Sequence, residues 1–108
     1  MSIVYNWEIS LLNDFYGVLL TQNQSEIVSM YYDENLSLGE ISSIKNISRN
    51  AVRDTIIRAT KKLEDLEDKL NLIVKTQGSI KMLEDLKAKV GDKFIVDIQK
   101  IIDYINNT

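Results

Sequence analysis

Leu36-Ser37-Leu38-Gly39-Glu40-Ile41, then Asn46-Ile47-Ser48-Arg49-Asn50-Ala51-Val52-Arg53 a few residues on, spells two helices and the turn between them. Ser37 and Glu40 stand three residues apart, the spacing of a capping box, in which each side chain accepts from a backbone N–H that the first helical turn leaves unpaired. Asn46 stands where such a turn needs a positive φ, a conformation Asn tolerates better than any residue except Gly. Ser48 is placed to cap the next helix, with Ile47 and Val52 on either side of the cap as a hydrophobic staple. Capped helix, left-handed turn residue and second capped helix together read as a helix-turn-helix, which makes nucleic acid the first partner to consider.

The distribution of charge points the same way. The net charge of −3 is the sum of three unequal blocks. Residues 1–44 contain six acids and no Lys or Arg, whereas residues 45–62 carry Lys45, Arg49, Arg53, Arg58, Lys61 and Lys62 against the single acid Asp54. Residues 63–108 hold seven bases and nine acids. An acidic background repels nucleic acid, so one basic helix within it marks a localised contact surface, the bland alternative being a solvated face.

The 108 residues include no Pro and four Gly and are rich in Leu, Ile, Lys, Asp and Glu, as in an all-α protein of one domain. No apolar run approaches the ~20 residues of a membrane span, and the N-terminus lacks the pattern of a secretory signal. The absence of Cys excludes disulfides and thiolate metal sites and suits a reducing interior, so the expected location is cytoplasmic.

Leu11, Leu12, Phe15, Tyr16, Leu19 and Leu20 recur at helical spacing after Asn6-Trp7-Glu8, and Thr21 with Gln24 forms a second capping box opening a helix with Ile27, Val28, Met30, Tyr31 and Tyr32. Trp7, Tyr16, Tyr31 and Tyr32 lie on or beside these apolar stripes and read as core rather than as base-stacking platforms. Asp33-Glu34-Asn35 is an exposed break. From Val52 a heptad-like seam runs through Ile56, Ala59, Leu63, Leu66, Leu70 and Ile73, so the recognition helix is expected to continue to about residue 74. Gly78 is expected to end or interrupt it, with Ser79 capping a helix bearing Ile80, Leu83, Leu86 and Val90. After Gly91-Asp92 a last helix carries Phe94, Ile95, Ile98, Ile101, Ile102 and Ile105. The seam can pack on these C-terminal helices or on a second copy, and the pattern fits both. The expected organisation is a single domain, 1–108, with a helix-turn-helix part over 8–62 and a helical C-terminal part over 63–108 sharing its core.

Catalysis is not expected. With neither His nor Cys, the usual general base, thiol nucleophile and zinc ligands are missing, and four isolated glycines cannot cradle a nucleotide phosphate. Glu64-Asp65 and Glu67-Asp68 read as a solvated face balanced by Lys61, Lys62 and Lys69 rather than as a metal site, so no cofactor or metal is expected. If Val52, Ile56, Ala59 and Leu63 face the core, the helix start presents Arg49, Asn50, Arg53 and Asp54 outward. Arg engages guanine, and Asn adenine, through two hydrogen bonds each, discriminating by about 1–3 kcal/mol. Lys45, Ser48, Arg58, Lys61 and Lys62 suit phosphates, which add affinity without sequence information, while Asp54 would repel them.

These residues carry a family likeness. Asp14-Phe15-Tyr16, Leu20-Thr21 with Gln24, Tyr31-Tyr32 with Glu34, Leu36-Ser37-Leu38 with Glu40-Ile41, Ile47-Ser48-Arg49 with Ala51-Val52, and Leu63-Glu64 with Glu67 and Lys69-Leu70 resemble the YlxM family of small bacterial helix-turn-helix proteins over about residues 8–72. The helix-turn-helix alone also looks like region 4 of sigma factors. The resemblance implies a non-enzymatic regulatory protein of the signal recognition particle pathway, since the family is linked by gene neighbourhood to the particle's GTPase and its receptor. It implies particle RNA, particle protein or operon DNA as the immediate target. The family often has Gln at the position of Asn50, an aromatic at that of Arg53 and a polar residue at that of Gly39, so Arg53 adds a charge and Gly39 weakens its helix by about 1 kcal/mol. The alternative is a sequence-specific DNA-binding transcription regulator acting as a homodimer, and a third reading is a protein adaptor using the exposed part of the Leu63–Ile73 seam.

Overall fold

In the computed structural model, which describes residues 6–107 and side chains from Glu8 onward, both capping boxes form at helix starts. Thr21 Oγ1 accepts from the Gln24 N–H at 3.1 Å while Gln24 Oε1 accepts from the Thr21 N–H at 3.1 Å. Ser37 Oγ accepts from the Glu40 N–H at 3.0 Å, and Glu40 Oε1 accepts from the Ser37 N–H at 3.0 Å. These hydrogen bonds to backbone and hydroxyl hold the Glu40 carboxyl below the usual carboxylate range.

The described chain is all-α, with α1 (Asn6–Tyr16), a short 3-10 turn (Gly17–Leu19), α2 (Gln22–Tyr32), α3 (Leu38–Lys45), α4 (Arg49–Leu70), α5 (Leu72–Lys89) and α6 (Asp92–Asn106). It divides into two compact units, one ending at Leu70 and the other beginning at Asn71. No helix among the described residues is long and apolar enough to cross a membrane.

In the first unit, α2, α3 and α4 pack on one another, and α1 packs on α2 and α4. Ile27, Ile41, Val52 and Ile56 form a buried cluster contributed by all three helices of the helix-turn-helix part. Ile9, Leu12, Tyr16, Leu20, Val28, Ala59 and Leu63 are buried as well. The aromatic residues behave as core. Tyr16 is fully buried and donates its phenol to Glu67, while Tyr31 and Tyr32 pack edge to face at 5.0 Å beside the cluster. The Trp7 side chain lies outside the described residues. Thr60, buried on α4, satisfies its hydroxyl by donating to the Ile56 carbonyl at 2.8 Å.

Two expectations about the C-terminal half are corrected. The recognition helix stops at Leu70 rather than near residue 74, because Asn71 adopts φ 55° and ψ 28°, a left-handed conformation that ends the helical path. Along α4 the seam beyond Leu63 accordingly loses burial, Leu66 being half-buried and Leu70 exposed. Gly78 does not break the chain either, since α5 runs through it to Lys89 and Ser79 caps nothing. A glycine inside a helix costs only about 1 kcal/mol relative to alanine, too little to stop an 18-residue helix with a buried side. A β-carbon at Gly78 would meet nothing within 4 Å. Gly78→Ala should therefore raise stability by about 0.5–1 kcal/mol in urea denaturation; a loss instead would mean the position is not an open helical one.

In the second unit α5 folds back on α6 across Val90-Gly91, with Ile73, Ile98 and Ile102 buried. Lys87 Nζ donates to Gln99 Oε1 at 2.8 Å, and Gln99 Nε2 in turn donates to Asp103 Oδ1 at 2.9 Å.

Candidate nucleic-acid interface

The α3–α4 turn is held by backbone and hydroxyl together. Asn46 takes φ 57° and ψ 45°, and its N–H and that of Ile47 both reach the Ser42 carbonyl. The Ser42 hydroxyl returns a hydrogen bond to the Ile47 carbonyl, so one serine clamps the turn from both directions. Ser48 Oγ then accepts from the Ala51 N–H at 3.0 Å and starts α4. Ile47 packs against the cluster containing Val52, completing the staple across the cap. With Val52 and Ile56 buried against Ile27 and Ile41, the start of α4 is a rigid platform.

On that platform Arg49, Asn50, Arg53, Asp54, Arg58, Lys61 and Lys62 are all exposed. Helical phase sorts them. Arg49 and Arg53 lie one turn apart on the flank towards α3, Asn50, Asp54 and Lys61 share the outermost face, and Arg58 and Lys62 lie on the other flank, roughly 140° and 180° from Arg53. Neither Arg49 nor Arg53 has an ion pair among the described residues. Ser48 is exposed at the helix start, its oxygen used by the cap.

Lys45 stands apart from this group. It is half-buried and pairs with Glu26 of α2, so its ammonium is engaged within the protein. The same contact holds the Glu26 carboxyl below its usual range, mainly through the hydrogen bond from Lys45, then one from Gln22, then the Lys45 charge, against a small opposing effect of burial. The pair ties the end of α3 to α2, and reaching a phosphate would require Lys45 to leave it.

Gly39 has a role that sequence reasoning missed. A β-carbon there would come within 2.9 Å of Arg49 Nη2 and 3.1 Å of its Cζ, so the guanidinium lies directly on the bare helix backbone of α3. The signal was the glycine itself, a helix-weakening residue in the first turn of a capped helix with no turn to make. A cavity of about 170 Å³ opens beside Arg53, lined also by Tyr31, Leu38 and Ile56, and it is smaller than the ~300 Å³ at which small-molecule sites begin.

The family model for UPF0122, described as "Putative helix-turn-helix protein, YlxM / p13 like", matches residues 3–106. The chain belongs to the UPF0122 family. A UPF0122 protein of Oceanobacillus iheyensis is 46% identical over 96 residues, covering 88% of this chain and 91% of its own. One from Clostridium perfringens is 40% identical over 99 residues, covering 90% and 88%. One from Caldanaerobacter subterraneus subsp. tengcongensis reaches 51% over 79 residues, covering 73% and 68%. The UPF0122 match spans both units, whereas the likeness seen in the sequence faded after about residue 72.

Proposed function

We propose that this chain is a non-enzymatic, cytoplasmic regulatory protein that binds duplex DNA, laying the first turns of α4 in the major groove. The observation that carries this reading is the meeting of Arg49, Asn50 and Arg53 on one exposed, rigidly capped helix start in an otherwise acidic first unit. Arg49 and Arg53 are the base-reading candidates, Arg58 and Lys62 suit phosphates on the far flank, and Lys61 suits one from the outermost face. DNA is favoured over RNA on geometry. The major groove of B-form DNA, about 12 Å wide, admits a helix, whereas that of A-form RNA is too deep and narrow. A single helix in one groove reads few base pairs, so selective binding calls for two copies on a two-fold site. The likeness to the YlxM proteins supports regulation within the signal recognition particle pathway, with the particle's RNA and GTPase as the partners to set beside DNA.

Selection from a random duplex pool, followed by titration of the enriched sequence between about 50 and 200 mM salt, tests this. If three to five cations per chain reach phosphate, log affinity should fall against log salt with a slope of about −2.7 to −4.5 per chain. Failure to enrich any duplex, together with retention on particle RNA or GTPase, would move the helix-turn-helix to that other partner.

A further inference from the structure

The α5–α6 hairpin leaves eight large apolar side chains in water, and six of them, all but Val74 and Val96, share one side of it. Leu72, Met82 and Leu86 of α5 are 45%, 74% and 46% exposed, and Phe94, Ile101 and Tyr104 of α6 are 49%, 49% and 77% exposed. At about 100° per residue, the first three lie roughly 50–140° to one side of the line that α5 presents to α6. Phe94, Ile101 and Tyr104 are offset over a similar range, and in the same sense, from the buried line of Ile98 and Ile102. In antiparallel helices, equal offsets of equal sense fall on one face of the pair. The six side chains therefore share one face, on which Met82, Leu86, Phe94, Ile101 and Tyr104 group together and Leu72 lies beyond Lys75 and Ser79, while Lys81, Glu84, Asp85, Asp92 and Asp103 point to the opposite side.

We propose that this face is the self-association surface of the protein, and that its occupant is the same face of a second copy, giving a four-helix bundle. Three observations select that occupant. First, the exposed parts of the six side chains amount to roughly 700 Å², close to the ~800 Å² that each partner contributes to a stable dimer. Second, residues 71–108 carry six bases and five acids, so net charge does not oppose pairing of two such hairpins. Third, Asp97 stands between Phe94 and Ile101 as the sole acid on the face, with Lys75 on the face itself and Lys93 and Lys100 at its edge. A lipid surface would bury that carboxylate without a partner, whereas a two-fold arrangement can bring it to a lysine of the second copy. A pair of helices with three buried apolar side chains is a meagre core alone, and doubling it supplies the inside that the stripes lack. The proposal does not depend on what α4 binds.

Light scattering on the eluting full chain, without nucleic acid and across micromolar to submillimolar concentrations, tests this directly. The native protein should have twice the 12.4 kDa chain mass. Met82→Glu/Tyr104→Glu, at two mostly exposed positions, should halve it with helix content unchanged by circular dichroism. Val96→Glu, exposed on the other side, should leave the doubled mass intact. Asp97→Lys disturbs no apolar contact within the hairpin and should move dissociation to higher concentration, keeping the test valid if the double variant loses helix. A native mass of 12.4 kDa throughout, a doubled mass in the double variant, or an unmoved midpoint for Asp97→Lys each overturns the proposal. So does a monomer that co-sediments with phosphatidylglycerol vesicles, which would hand the face to lipid.

Discussion

Arg49→Ala/Arg53→Ala should bind a selected duplex about 30- to 10⁴-fold more weakly than the native chain, with its melting curve unchanged. The size follows from two guanine-reading contacts at about 1–3 kcal/mol each, and the lower end applies if one arginine meets only phosphate. Both side chains are exposed and without an ion pair among the described residues, so their removal leaves no buried charge behind. Arg49 gives up its place over Gly39, and Arg53 gives up part of a cavity wall, neither of which is core. Arg58→Ala/Lys62→Ala is the control. These cations lie on the far flank of α4, so their loss should weaken binding to every duplex alike and flatten the salt dependence by about two contacts. Loss of selectivity in the first variant and loss of affinity in the second would separate reading from holding. Equal losses on selected and random duplex in both variants would mean that α4 holds DNA without reading it.

The helix-turn-helix was legible because its signals are local. Ser37 with Glu40, Asn46 and Ser48 each act within four residues, and each makes in the structure the contact its spacing implies. The C-terminal half was misread where two local signals disagreed. At Asn71 the heptad register argued for continuity, yet Asn35, Asn46 and Asn71 all sit at φ between 55° and 60° while no described glycine takes a positive φ. In this chain asparagine, not glycine, turns the backbone, and reading Asn71 by the rule already applied to Asn46 would have found the break. Gly78 misled for the complementary reason, since a glycine weakens a helix without stopping it. Contacts between distant positions carried no such signal. Lys45 was one base among six until α2 brought Glu26 to it, 19 residues earlier in the chain. The seat of Arg49 on Gly39 likewise needs the crossing of α3 and α4, which no pattern along the chain encodes.

Ile56→Ala should remove about 3–5 kcal/mol from the stability of the first unit, the upper part of the range for such truncations. Ile56 is 2% exposed and belongs to the cluster of Ile27, Ile41 and Val52, so three carbons are lost from a buried site. The cost of a vacancy depends on how far its walls collapse. Here Ile56 already borders the cavity beside Tyr31 and Leu38, and α4 cannot move inward without breaking the staple and the Ser42 clamp at its start. Against a total of about 5–15 kcal/mol for a domain, the loss leaves little margin. Ile101→Ala, on the exposed face of α6, provides the contrast and should change the first unit's urea midpoint hardly at all. Because Ile41 of α3 and Ile56 of α4 share one cluster, Ile41→Ala/Ile56→Ala should cost less than the two single losses added, by about 0.5–3 kcal/mol. Strict additivity would mean that α3 and α4 do not share a core. In that case the platform that holds Arg49 and Arg53 in place would lose its foundation, and duplex affinity should then survive the core substitutions that this packing says must weaken it.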